Sequence, residues 1–136
     1  MILRDSRGEI IFPCCRVLFS CRDAVEVELC AIMEGVSLAI QRPELPIAIE
    51  LDSSLVISMI TYGKVDCSVY ASLVNEIRLL LHLRQTCVTH VLRAQNKASD
   101  SLARFARVEG RTMTWLGSGP DEVLGISLDD CKDILI

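Results

Sequence analysis

The chain has 136 residues, 51% of them hydrophobic, which is enough for one domain with a real core and too few for two comfortable ones. Its apolar residues never run unbroken for the about 18 positions needed to cross a bilayer, and the start, Met-Ile-Leu-Arg-Asp, lacks the basic-then-apolar layout of a secretion signal. A soluble, intracellular protein is expected, and the net charge of −4 excludes a generally basic coat for nucleic acid.

In chain order, residues 1–4 read as the end of a strand and Asp5-Ser6-Arg7-Gly8 as a tight turn, so a hairpin follows. Its second strand runs from Glu9 to about Phe19, with Pro13 marking a bend or an edge position. From Asp23 to about Gln41, Val25, Leu29, Ile32, Met33, Val36, Ala39 and Ile40 form one apolar stripe at helical spacing. Residues 42–46 break that helix, and Ile47 to Asp52 reads as a short strand buried on at least one face. Asp52, Ser53 or Ser54 can then cap a helix from Leu55 to about Thr61. After a polar loop, a helix from about Val69 to Arg84 turns Leu73, Ile77, Leu80 and Leu81 inward, and Cys87 to Arg93 is rich in β-formers. Ala94-Gln95-Asn96 turns the chain into a last helix, to about Val108, with Asn96 as its N-cap. The order β, β, α, β, α, α, β, α calls for a mixed sheet covered by helices, an α/β domain over residues 1–110 with a tail at 111–136.

Seven cysteines raise the question of disulfides or zinc. No C-x-x-C pair occurs and His82 and His90 are not placed to complete a zinc site. Reduced thiols acting as small hydrophobes are the simpler expectation. Charge is more informative. Residues 78–111 carry Arg78, Arg84, Arg93, Lys97, Arg104, Arg107 and Arg111 against Asp100 and Glu109, seven cations to two anions and a local balance of +5. Such a segment could hold a phosphate backbone, although any one of these arginines, taken singly, reads as a solvated helix charge.

Three carboxylates stand in distinct settings. Asp52 ends an apolar strand and opens a helix, the place where open α/β sheets commonly put ligand-binding groups, and there an N-cap is its ordinary role. Asp100 lies in the first turns of the last helix, away from the Ala98, Leu102, Phe105 and Ala106 stripe, where a carboxylate gains from the helix dipole in any case. Glu28 competes with Glu26, since the two border opposite edges of the same apolar stripe. Glu50 points to the same side of its strand as Asp52. Brought together, three such groups would form an oxygen-rich pocket suited to hard divalent cations and phosphodiester chemistry.

Three ordered segments carry a resemblance: V-E-L-C-A-I-M-E-G-V at 27–36, I-E-L-D-S-S-L-V at 49–56 and H-V-L-R-A-Q-N-K-A-S-D-S-L-A at 90–103. With the opening R-D-S-R-G and the tail containing Trp115, they are similar to the plant branch of the ribonuclease H family, found in reverse transcriptase-like proteins of retroelement origin. The resemblance implies a ribonuclease H-like mixed sheet with helices on both faces. It also implies a carboxylate cluster that binds two magnesium ions and cleaves the RNA strand of an RNA–DNA hybrid. Carried over by motif, Glu28, Asp52 and Asp100 are the catalytic and metal-binding residues, and Arg93 and Asn96 lie on the substrate side.

The departures shape the expectation. The family's first catalytic aspartate lies in a central strand ahead of the opening hairpin, and this sequence begins inside that hairpin. A domain short of that strand and of one of four carboxylates is expected to bind magnesium weakly or not at all, to cleave poorly and to fold poorly alone. Ala94 replaces the usual glutamate and Ser99 the usual alanine. The alternatives are a non-catalytic nucleic-acid-binding remnant using residues 78–111, and an α/β interaction module favoured by the acidic total charge.

Overall fold

The structure, a computed structural model, describes residues 1–4, 9–18, 20–42, 46–115, 119–121, 123, 125 and 126. In chain order they form β1 (Ile2–Arg4), β2 (Ile10–Cys15), α1 (Ala24–Ile40), β3 (Ile47–Leu51), α2 (Ser54–Thr61), α3 (Ala71–His82) and β4 (Thr86–His90). A 3-10 turn at Arg93–Gln95, α4 (Lys97–Glu109) and β5 (Met113–Thr114) follow. The architecture is mixed α/β, as the element order implies. Two compact units divide it: Ser20–Val91, and Met1–Phe19 with Leu92–Ile136.

In the Ser20–Val91 unit, β3 and β4 run parallel in an unbroken register from Ile47↔Thr86 to Leu51↔His90. Backbone bonds from Ile47 N to the Gln85 carbonyl and from Val91 N to the Leu51 carbonyl, both 2.9 Å, extend the ladder at each end. Alternation does the sorting: Ile47, Ile49 and Leu51 are half-buried while Ala48 and Glu50 are exposed. The apolar side meets a core of Leu29, Ile32 and Val36 from α1, Val56 and Ile60 from α2, and Val74 and Ile77 from α3. No helix of the described residues is long and apolar enough to cross a membrane.

Helix ends in this unit are closed by side chains the sequence does not flag. At the start of α1, Asp23 Oδ1 accepts from Glu26 N at 3.0 Å and Glu26 Oε2 accepts from Arg22 N at 2.5 Å, a reciprocal capping arrangement. The Tyr70 hydroxyl donates to the same Asp23 carboxylate, joining the start of α1 to the residue that opens α3. At the other end of α1, Arg84 donates to the carbonyls of Arg42 (2.6 Å) and Ile40 (2.9 Å). Arg78 closes α2 in the same way, donating to the carbonyls of Met59 (2.6 Å) and Lys64 (2.7 Å). The last carbonyls of a helix lack intrahelical partners and carry partial negative charge, so a guanidinium fork suits them.

In the other unit β2 pairs antiparallel with β1 and with β5, and the β1–β2 register slips between Leu3 and Arg4. The expected turn at Asp5 to Gly8 lies outside the described residues. Cys15, Ala98, Leu102, Ala106 and Val123 form the core, with Ile2, Met113 and Trp115 against it. Phe105 and Trp115 meet edge to face, their rings 5.8 Å apart. Gly110, at φ +65°, ends α4 in the left-handed conformation that favours glycine.

Several local expectations are corrected here. Pro13 is not at a bend or an edge: it is buried inside a strand flanked on both sides. The sheet tolerates it because β5 pairs with Cys14 and Cys15, while at Pro13 only an acceptor is used, its carbonyl taking the Trp115 N–H at 3.1 Å. No strand was expected after Gly110, yet Met113–Thr114 is β5, too short for periodicity to reveal. Arg93 lies in the 3-10 turn rather than in β4. Cys14 and Cys15 are buried as expected, whereas Cys67 and Cys87 are exposed; all four are free thiols.

Two outcomes follow for stability. Arg84→Met leaves the α1 carbonyls without their guanidinium and is expected to cost about 1 to 3 kcal/mol, read from the urea midpoint. Arg78→Met is expected to cost less, because it also removes the buried, unpartnered Nε of that residue. The second outcome concerns pH. The Tyr70 hydrogen bond, helped by the Glu26 N–H, holds the Asp23 carboxyl below its ordinary range, and the same bond holds the Tyr70 hydroxyl above its own. A depressed carboxyl stabilises the fold above its unfolded pKa of about 3.9 and loses this contribution as pH falls through the lower folded value. A raised phenol contributes below about pH 10 and loses it as pH rises through the higher folded value. The stability difference between the wild type and Asp23→Asn should therefore be flat near neutrality and shrink in acid.

Candidate functional site

Asp52 follows the last residue of β3 and lies two positions before the first residue of α2, so the parallel ladder holds it at the carboxyl end of the strand pair. Capping was its ordinary expectation, and the structure assigns that task elsewhere: Ser53 Oγ accepts from Val56 N at 3.3 Å. Asp52 is half-buried and makes no hydrogen bond or ion pair among the described residues.

The choice between Glu26 and Glu28, open on periodicity, narrows for a similar reason. Glu26 is committed to the start of α1 through the Arg22 N–H. Glu28 is half-buried, one position before Leu29, which is fully buried, and it takes part in an interaction of its own. Leu29 and Leu51 belong to the same cluster, so Glu28 and Asp52 each adjoin a residue of one core. Glu50 is exposed on the outward side of β3.

Asp100, Arg93 and Asn96 belong to the other unit. Asp100 sits in the first turn of α4, half exposed, and Arg93 Nε lies 3.4 Å from its Oδ2. Arg93 itself is largely exposed. Asn96 occupies the N-cap position of α4, but its side chain makes no capping bond; the backbone serves instead, with Asp100 N donating to the Asn96 carbonyl at 3.1 Å. The expected cap is thus an N-cap by position only. The reason lies in its backbone, at φ −110° and ψ 24°, away from the extended conformation from which a cap side chain reaches forward.

Of the predicted site residues the structure brings Arg93 and Asp100 together. Among the described residues, no group of three or more His, Cys, Asp or Glu is placed to hold a metal ion. One of the three carboxylates is taken by a guanidinium, another is engaged, and Asp52 stands free.

Sequence reasoning missed how the cations divide. Arg78 and Arg84 hold helix carbonyls, Arg93 pairs with Asp100, and Arg111 pairs with Glu109 at 3.1 Å. Lys97, Arg104 and Arg107, all exposed on α4, have no partner among the described residues. An open groove of about 350 Å³ near the end of α2, lined by Met59, Tyr62, Lys64, Cys67 and Arg78 among others, includes none of the predicted site residues.

Neither a curated protein nor a solved structure matches the chain. A family model described as reverse transcriptase-like matches residues 1–106, well over half of the 136. With its α/β elements in the order described, the chain belongs to the reverse transcriptase-like family and carries a ribonuclease H-like domain.

Proposed function

We propose that this chain is a nucleic-acid-binding domain of the plant, retroelement-derived ribonuclease H kind, with RNA–DNA hybrid as its preferred ligand and with impaired cleavage. Glu28, Asp52 and Asp100 correspond to the family's magnesium ligands, and Arg93 and Asn96 to its substrate-side residues. The observation that carries the reading is Asp52. A half-buried carboxylate at the carboxyl end of a parallel strand, relieved of capping by Ser53, has no structural task of its own, and it falls within the matched residues. Impairment is argued from the other two positions. Asp100 faces Arg93 and Glu28 is engaged, so a divalent cation would share both carboxylates with existing partners, a modest handicap at the exposed Arg93–Asp100 pair.

A cleavage assay on a labelled RNA–DNA hybrid with magnesium tests this. Wild-type protein is expected to bind the hybrid at low salt and to release no RNA fragments above a protein-free control. Turnover that disappears in Asp52→Asn would refute the impairment and establish the site. No binding at low salt would refute the nucleic-acid reading and favour an α/β interaction module.

A further inference from the structure

The solvent side of α4 is a basic ridge. Lys97, Asp100, Arg104 and Arg107 follow one another at steps of three, four and three residues, which places them on one face of a helix. Ala98, Leu102 and Ala106 occupy the opposite side and are buried in the unit's own core. With 1.5 Å of rise per residue, the ten steps from Lys97 to Arg107 span about 15 Å. Asp100 faces Arg93, which leaves Lys97, Arg104 and Arg107 as three exposed cations along that length with no partner among the described residues.

Helix stability explains only part of this arrangement: Asp100 four residues before Arg104 favours a helix, but Lys97 and the Arg104–Arg107 spacing do not. Lys97 is the first residue of α4, where the helix dipole disfavours a cation. Arg104 and Arg107 are like charges three residues apart, which repel. Arg107 lies in the last turn and is the one member that the dipole favours.

We infer that the Lys97–Arg104–Arg107 ridge of α4 contacts the phosphodiester backbone of the bound nucleic acid, independently of sequence. This deepens the nucleic-acid reading above and rests on it. Charge complementarity selects the occupant: in a chain of net charge −4, residues 93–111 hold five cations against two anions, a local balance of +3. Point charges spread along a rod suit a line of phosphates, which needs neither pocket nor apolar anchor. A membrane surface is the poorer fit, because an interfacial helix inserts its apolar face and that of α4 is already buried. An acidic protein is poorer too, since the ridge carries no aromatic anchor of the kind that dominates protein interfaces.

The test is fluorescence anisotropy of a labelled RNA–DNA hybrid with the full chain across a potassium chloride series. The combined variant Lys97→Gln, Arg104→Gln, Arg107→Gln is compared with Arg16→Gln, Arg22→Gln, Lys64→Gln, which removes three exposed cations elsewhere. The ridge variant should lower the slope of log affinity against log salt by about 2 to 3. The control should lower it by less than about 1. Lysines at positions 104 and 107 (Arg104→Lys, Arg107→Lys) should retain the wild-type slope, which a purely structural role of the guanidinium groups would not predict. Equal slopes for the wild type and the ridge variant overturn the ridge and leave the nucleic-acid reading standing. No hybrid binding by the wild type at low salt overturns both. Equal affinity of the wild type for polyglutamate or for phosphatidylserine vesicles overturns the assigned occupant.

Discussion

The parallel pairing of β3 with β4 is the constraint from which most of the Ser20–Val91 unit follows. Two strands are too few to stand alone in water, and parallel strands in particular depend on helices laid across them. The unbroken register aligns Ile49, Leu51 and Val88 as apolar ground on which the α1, α2 and α3 core packs. The same register holds Leu51 opposite His90 and ties its carbonyl to Val91, so the chain leaves the strand at a defined point. Asp52 is held there by the backbone on one side and by the Ser53 cap on the other. What makes this residue a candidate is therefore the rigidity of its neighbours and its own lack of a structural task.

The longer elements were legible because periodicity is a property of many residues at once. The stripe from Val25 to Ile40 specifies α1 within a residue at each end, and the Ile47–Leu51 alternation specifies β3. Features resting on one or two residues were not legible. β5 has two residues and no pattern to read. Pro13 is acceptable in a central strand only because the ladder asks for its carbonyl and not for an N–H, a fact set by the partner strand. Caps were legible only as a short list: Ser53, one of three candidates, caps α2, while Asn96 has the right chemistry but makes no side-chain cap, because the local φ and ψ decide which side chain reaches a helical N–H.

The sequence motifs nominate the members of the candidate site, but the electrostatics around them were not legible there. Counting charge over residues 78–111 treats seven cations as equivalent, and the fold makes them three different kinds of group. Guanidinium groups bonded to helix carbonyls, as at Arg78 and Arg84, keep their charge but have donors committed to closing a helix end. Exposed pairs such as Arg93 with Asp100 and Arg111 with Glu109 are worth about 0 to 1 kcal/mol each, so they can be exchanged for a better partner at small cost. The remaining three, Lys97, Arg104 and Arg107, have no partner among the described residues. A sequence separation of 19 residues between Arg78 and Met59 is beyond what periodicity or local charge patterning can relate.

Asp100 is where the two halves of the functional reading bear against each other. Its helical neighbours at three residues before and four residues after are Lys97 and Arg104, and its carboxylate already faces Arg93. A carboxylate in that setting is well held as an anion and poorly placed to add a divalent cation, since the ion would arrive beside two or three like charges with little burial to strengthen its own bond. A polyanion changes the sum. Phosphates lying along α4 would neutralise Lys97 and Arg104, and could draw Arg93 away from Asp100 by offering a bidentate partner of greater charge. On the proposed reading, metal binding at Asp100 would be less unfavourable with nucleic acid in place than without it. The basic ridge and the acidic residue embedded in it would thus compete in the free chain and become compatible with a bound strand in place.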